Sequence, residues 1–136
     1  MAGVPMEVTI SGVTCDLNHR PSGATVQTVP PADIGGSGTG FSPTDLVAAA
    51  LCGCALTTMA LVARREGLSW GDARASVEKE MSSAPRRIGA LAVVFHMPRA
   101  VAHGHRERLE QAARSCPVAK SLHPDVNVSI QFRYAE

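Results

Sequence analysis

Four cysteines, Cys15, Cys52, Cys54 and Cys116, are the side chains of this 136-residue sequence best suited to chemistry, because a thiol can bind metal, pair as a disulfide or attack an electrophile. In a secreted chain an even count would suggest two disulfides. The amino terminus argues for another setting: it has neither a basic n-region nor an apolar h-region, and Val4, Met6, Val8 and Ile10 alternate as in a strand. The expected location is therefore cytoplasmic, where cysteines are free, metal-bound or catalytic. Cys52 and Cys54 fall two apart in a predicted helix, so at about 100° per residue their side chains point roughly 200° apart and cannot chelate one ion. His19, His96, His103, His105 and His123 are scattered, so no metal site is expected. For Cys15 and Cys52 the simple reading is a small hydrophobe in a core.

Cys116 precedes Pro117, which suits the first position of a new helical turn and would place Cys116 at the N-cap. Free N–H groups and the positive dipole end there would stabilise a thiolate; alternatively the sulfur merely fills a helix break. Both readings stand on local grounds. A thiolate on a buried helix at Cys54 would need a nearby cation, since desolvation disfavours the charged form. Arg20, in the turn Arg20-Pro21-Ser22-Gly23, is either that cation or a solvated turn residue.

Composition limits what else the chain can do. Hydrophobic residues make up 45% and charged residues 18%, so the chain folds, and a length of 136 residues predicts one domain, 1–136. A formal charge of +1 leaves no electrostatic footprint for nucleic acid or an anionic membrane. Five aromatics, Phe41, Trp70, Phe95, Phe132 and Tyr134, are too few for a base-stacking platform.

The elements that must position the thiols follow from pattern. Strands are predicted over 6–13, around 15–17 and over 24–29, as a meander closed by the turn at 20–23. Four glycines between Gly35 and Gly40 make a loop without phosphate-cradle spacing. Ser42 then suits an N-cap, Pro43 the first helical position and Asp45 the reciprocal acid of a capping box. The helix should run over 43–66, with Gly67 just past its end and Arg64 and Arg65 against the negative dipole end. Residues 46–63 carry no charge, long enough to raise a membrane span, but alanine, glycine and threonine are poor lipid-facing choices, and a central helix enclosed by sheet or by a second subunit is expected instead. A half-wet strand over 73–81, an interior strand over 88–97, an amphipathic helix over 104–115, a short helix over 117–122 and a last strand over 127–133 complete an α+β layout.

The run Ser42-Pro43-Thr44-Asp45-Leu46-Val47-Ala48-Ala49-Ala50-Leu51-Cys52-Gly53-Cys54, with Cys116-Pro117-Val118 following a second helix and His19-Arg20-Pro21-Ser22-Gly23 ahead of both, resembles the OsmC/Ohr family of osmotically inducible and organic hydroperoxide resistance proteins. The resemblance implies antiparallel sheets wrapped around a long central helix in an intertwined homodimer. It also implies a thiol-dependent peroxidase that reduces organic hydroperoxides to alcohols with no metal or other cofactor. Cys54 would then be the peroxidatic thiol, Cys116 the resolving thiol, Arg20 the activating cation, and an external dithiol, of the dihydrolipoyl type, the reductant. In the peroxidase branches a glutamate directly follows the helix-starting proline and pairs with the arginine; here Thr44 stands there and Asp45 is the adjacent acid. That departure leaves a small-ligand-binding dimer and a thiol redox sensor as the alternative functions.

Overall fold

The computed structural model describes residues 2–135. They form two compact units, one up to Leu46 and one from Val47 onward, and each is described by itself.

The first unit is the predicted meander. β1 (Met6–Ser11), β2 (Thr14–His19) and β3 (Ala24–Thr28) pair antiparallel in that order. β2 is longer than its apolar centre suggested, because ladder hydrogen bonds continue through Asn18 and His19. The return after β2 needs a left-handed residue, and Gly23 supplies it at φ +75°. Register places Met6, Val8 and Ile10 on one face with Cys15, Leu17, Ala24 and Val26, and Glu7, Thr9, Asp16, Asn18, Thr25 and Gln27 on the other. On the polar face Gln27 donates to Asp16 (3.1 Å). The apolar face is open, with Met6, Val8, Ile10 and Val26 all exposed. In the glycine-rich loop, Gly36 packs so close to the Pro30 carbonyl that a Cβ would lie 2.0 Å from its oxygen, so no other residue fits there unchanged.

α1 (Pro43–Glu66) has the predicted bounds because both ends are specified locally. The Ser42 hydroxyl accepts from the Asp45 N–H (3.1 Å), and the Ser42 N–H donates to the Asp45 carboxylate (2.9 Å), a reciprocal capping box. At the other end Gly67 turns left-handed (φ +69°) and the Leu68 N–H donates to the Ala63 carbonyl (2.8 Å), a Schellman closure. By length and composition α1 could cross a membrane. One stripe of it, Ala48, Leu51, Cys52, Ala55, Met59, Val62 and Ala63, is buried in the core of the second unit. The opposite face, with Ala50, Gly53, Thr57 and Leu61, is exposed, so this chain does not enclose the helix on all sides.

In the second unit β4 (Arg74–Ser82), β5 (Arg87–Met97) and β6 (Asn127–Tyr134) form a sheet in that order. β4 and β5 are antiparallel, but β5 and β6 are parallel, which corrects the expectation of antiparallel sheets throughout. The cause is the connection: α2 (Arg106–Arg114) and α3 (Pro117–Ser121) intervene, and such a crossover returns the chain to the starting end of the sheet. α2 starts later than predicted, because residues 103–105 form a separate 3-10 turn. β5 was also expected to be interior on both faces. Leu91, Val93, Phe95 and Met97 are buried, with Phe95 stacked on Phe132 (5.3 Å between centroids), whereas Ala92 on the other face is exposed. Leu109, Ala112 and Ala113 of α2 complete the core, and Arg108 ties α2 to the end of α1 by a two-pronged contact with Glu66 (3.1 Å from Nε) that holds the Glu66 carboxyl below its usual range.

The buried capping box makes a direct prediction. Ser42→Ala removes the acceptor of the Asp45 N–H and should lower unfolding stability by about 1 kcal/mol, within a range of roughly 0.5–2. Urea denaturation would test this, and an unchanged midpoint would show that the cap contributes nothing to the stability of α1.

Candidate thiol site

Cys54 and Cys116 reach the same place by different local rules. Cys52 lies in the buried stripe of α1, and two residues of helical rotation turn Cys54 away from it, leaving Cys54 half-buried. Thr58, one turn on, donates its hydroxyl to the Cys54 carbonyl (2.7 Å) and so fixes the Thr58 side chain against the turn that carries the thiol. Cys116 sits where α2 ends and Pro117 starts α3, in the extended conformation of an N-cap (φ −64°, ψ 155°). Its Sγ accepts from the Ala119 N–H at 3.5 Å, and the side chain is wholly buried (0% exposed). Cys54 lies near enough to Cys116 to act on its thiol, and no disulfide joins them.

On local grounds the N-cap position either activates Cys116 or merely seats its sulfur in a helix break, and burial weighs against activation. Burial pushes the Cys116 thiol up from its ordinary value and outweighs the N–H groups of Ala119 and Val118, which pull it down. The Cys54 side chain acts in the same direction as burial, since a hydrogen bond from the Cys116 S–H to the Cys54 sulfur favours protonated Cys116. A short helix of five residues offers too little to overcome a dry environment. Cys116 is thus held as a thiol with its sulfur against Cys54. Cys52 is also pushed up by burial and packs as a core hydrophobe; Cys15 is half-buried on the apolar face of the first sheet.

The remaining candidates belong to the first unit. Arg20 immediately follows β2, and its guanidinium donates to the Glu7 carboxylate at 2.9 Å in an exposed ion pair (60% and 59% exposed). Glu7 was missed in the sequence; the signal was available in the hairpin, because the pairing of Glu7 with Asn18 puts Glu7 beside the end of β2 on the polar face. Asp45 is engaged by the capping box, and the Thr44 hydroxyl lies 3.2 Å from that of Ser42. Among the described residues no group of three or more His, Cys, Asp or Glu side chains could hold a metal ion. The chemistry on offer is therefore that of two adjoining thiols, one reachable and one sealed.

A family model for OsmC-like proteins matches residues 36–131. Among solved structures, an osmotic stress induced and detoxification response protein of Psychrobacter arcticus superimposes with a TM-score of 0.89 at 30% identity, covering 98% of each chain. An organic hydroperoxide resistance protein OsmC of Legionella pneumophila gives a TM-score of 0.78 at 18% identity, over 97% of both chains. One from Elizabethkingia anophelis, crystallised with thiocyanate, gives 0.78 at 14%, over 99% of this chain and 98% of that one. No curated protein matches the sequence. The two hydroperoxide resistance proteins are similar at the level of fold, while the family model and the Psychrobacter protein establish kinship: the chain belongs to the OsmC-like protein family.

Proposed function

We propose that this protein is a thiol-dependent peroxidase for organic hydroperoxides, with Cys54 peroxidatic and Cys116 resolving. The observation that carries the reading is the contact between a half-buried Cys54 and a sealed, protonated Cys116. In the first step the Cys54 thiolate attacks the terminal peroxide oxygen, the O–O bond breaks, and the alkoxide leaves and takes a proton to become the alcohol. Sulfur loses two electrons and becomes a sulfenic acid. Cys116 sulfur then attacks the Cys54 sulfur, the S–O bond breaks, and the Cys116 proton leaves with the hydroxide as water. An external dithiol of the dihydrolipoyl type returns two electrons by exchange with the resulting disulfide. Keeping Cys116 protonated suits this division of labour, because the resolving thiol neither competes for peroxide nor lacks the proton that water formation requires.

Arg20 is the cation we assign to Cys54. An exposed pair such as that with Glu7 stabilises by only about 0–1 kcal/mol, so little holds the guanidinium to its present partner. Thr44, in the position of the family glutamate, cannot hold it as an ion pair.

We also propose a homodimer. Two apolar surfaces are open, the face of the first sheet bearing Met6, Val8, Ile10 and Val26 and the face of α1 bearing Ala50, Gly53 and Leu61. Exposed apolar area of this extent marks an association surface in a chain with only 18% charged residues.

Three experiments test these assignments. With cumene hydroperoxide and dihydrolipoamide, Cys54→Ser should reduce consumption to background, while Cys116→Ser should give one turnover and a trapped sulfenic acid; full steady-state activity in either variant would refute the two-thiol cycle. Arg20→Ala should slow alkylation of Cys54 near neutral pH by about tenfold for each unit that its pKa rises, because the reactive thiolate fraction falls in that proportion. An identical alkylation profile would release Arg20 from the assignment. Sedimentation should return twice the chain mass of 14.2 kDa; a monomer at micromolar concentration would refute the dimer. Retention of a small ligand through purification, with no peroxide consumption, would instead favour a binding protein.

A further inference from the structure

The exposed face of the second sheet carries an arrangement that the thiol chemistry does not use. Alternate residues of its three strands point outward, and register aligns them in rows. At one end Arg74 of β4, His96 of β5 and Arg133 of β6 are direct cross-strand neighbours. Four residues further along, roughly 13 Å at the usual rise, the corresponding row is Glu78, Ala92 and Ser129, followed by Glu80, Ala90 and Asn127. Along this face the row of Arg74, His96 and Arg133 is cationic, the rows of Glu78 and Glu80 are acidic, and Arg87 follows beyond them opposite Ser82.

The cationic end is also concave. Asp72, Ala73, Arg74, His96, Met97, Pro98 and Arg99 line an open depression of about 330 Å³. Its lining holds two guanidiniums, Arg74 and Arg99, and one carboxylate, Asp72, and Arg133 stands beside His96 on the next strand. Among the described residues neither Arg74 nor Arg99 has a carboxylate within ion-pair distance, and Arg133 makes only a 3.3 Å hydrogen bond to the Gln131 amide oxygen. Like charges in one cross-strand row destabilise a sheet unless something offsets them.

We propose that this row is a binding site for a small oxyanion, either free or as the phosphoryl or sulfo group of an organic molecule, bridged by Arg74 and Arg133 above His96 with Arg99 closing the side. Adjacent strands lie about 4.8 Å apart, so the two outer side chains span roughly 10 Å and their long stems converge on one anion over the central residue. The planar guanidinium supplies paired donors that match two oxyanion oxygens. The groups facing His96 are Arg74 from β4, Arg133 from β6, and Arg99 and Asp72 from the flanking segments. Burial, and after it the charges of Arg74 and Arg133, hold the His96 imidazole below its ordinary value. A bound anion offsets those two charges and raises it again, so binding takes up a proton and strengthens as pH falls through the His96 titration.

The test is a titration of the full-length protein with sodium sulfate at constant ionic strength, followed through the His96 ring signals. Sulfate keeps both charges across the range, so pH dependence belongs to the protein. Saturable binding on the order of 1 mM is expected, with His96 moving toward higher pKa, and Arg74→Gln and Arg133→Gln should each weaken it about tenfold or more, as loss of a hydrogen bond to a charged group implies. His96→Gln should abolish the pH dependence and retain binding. Arg74 and Arg133 are exposed side chains, so both arginine variants preserve the fold. Methyl phosphate binding more tightly than sulfate would assign the site to an oxyanion on an organic molecule, and equal binding to the free anion. Shifts that rise linearly, match those given by chloride, or persist unchanged in both arginine variants would overturn the proposal.

Discussion

Everything in the second unit depends on which side of α1 is buried. Seven residues at helical spacing, from Ala48 to Ala63, are committed to the core with Leu91, Val93, Phe95, Leu109 and Ala113. Leu51, Ala55, Met59 and Ala63 are each at most 1% exposed, so rotating the helix would strand several apolar side chains in water, at about 0.8 kcal/mol for each buried CH₂ lost. This constraint sets the chemistry. With Cys52 in the buried stripe, the helical rotation leaves Cys54 reachable, and the closing of the same core over the end of α2 brings Cys116 against it. Neither thiol is positioned by catalytic demands of its own; each takes its position from apolar packing and one helix terminus.

The burial that fixes the pair also separates its members chemically. A thiolate at Cys116 would have to exist in a dry site with two backbone N–H groups for compensation, and desolvation wins that contest. Cys54, on the half-open side of α1, keeps partial access to solvent. Two chemically identical side chains thereby differ in solvent access, one partly open and one sealed. The ion pair between Arg20 and Glu7 is exposed, so it contributes only about 0–1 kcal/mol to the first unit.

How much of this was legible beforehand depended on the range of the interaction. α1 was readable to the residue because its boundaries are set within a few positions, by Ser42 and Asp45 at one end and Gly67 at the other. The meander was readable for the same reason, and so was the separation of Cys52 from Cys54, which is a property of helical rotation. The parallel pairing of β5 with β6 was not, since alternation specifies faces but not the direction of a neighbour, and only the crossover through α2 and α3 decides it. The state of Cys116 could not be settled locally, because the N-cap before Pro117 is genuine while the larger influence is desolvation by residues far away in the chain.

Glu7 illustrates the remaining difficulty. Pairing it with Arg20 requires the register of the β1–β2 hairpin, which composition does not give and which a one-residue slip would invert. The same register, applied to the second sheet, aligns Arg74 with His96 and Arg133 although the three are scattered through the sequence with no local pattern among them. A polar face of a sheet is usually discounted as solvated surface. Here the register gathers Arg74, His96 and Arg133 in one row, and cations so gathered repel one another. That self-repulsion lowers stability unless counter-charge is supplied, and between Arg74 and Arg133 the nearest counter-charge that can be gained is a bound anion.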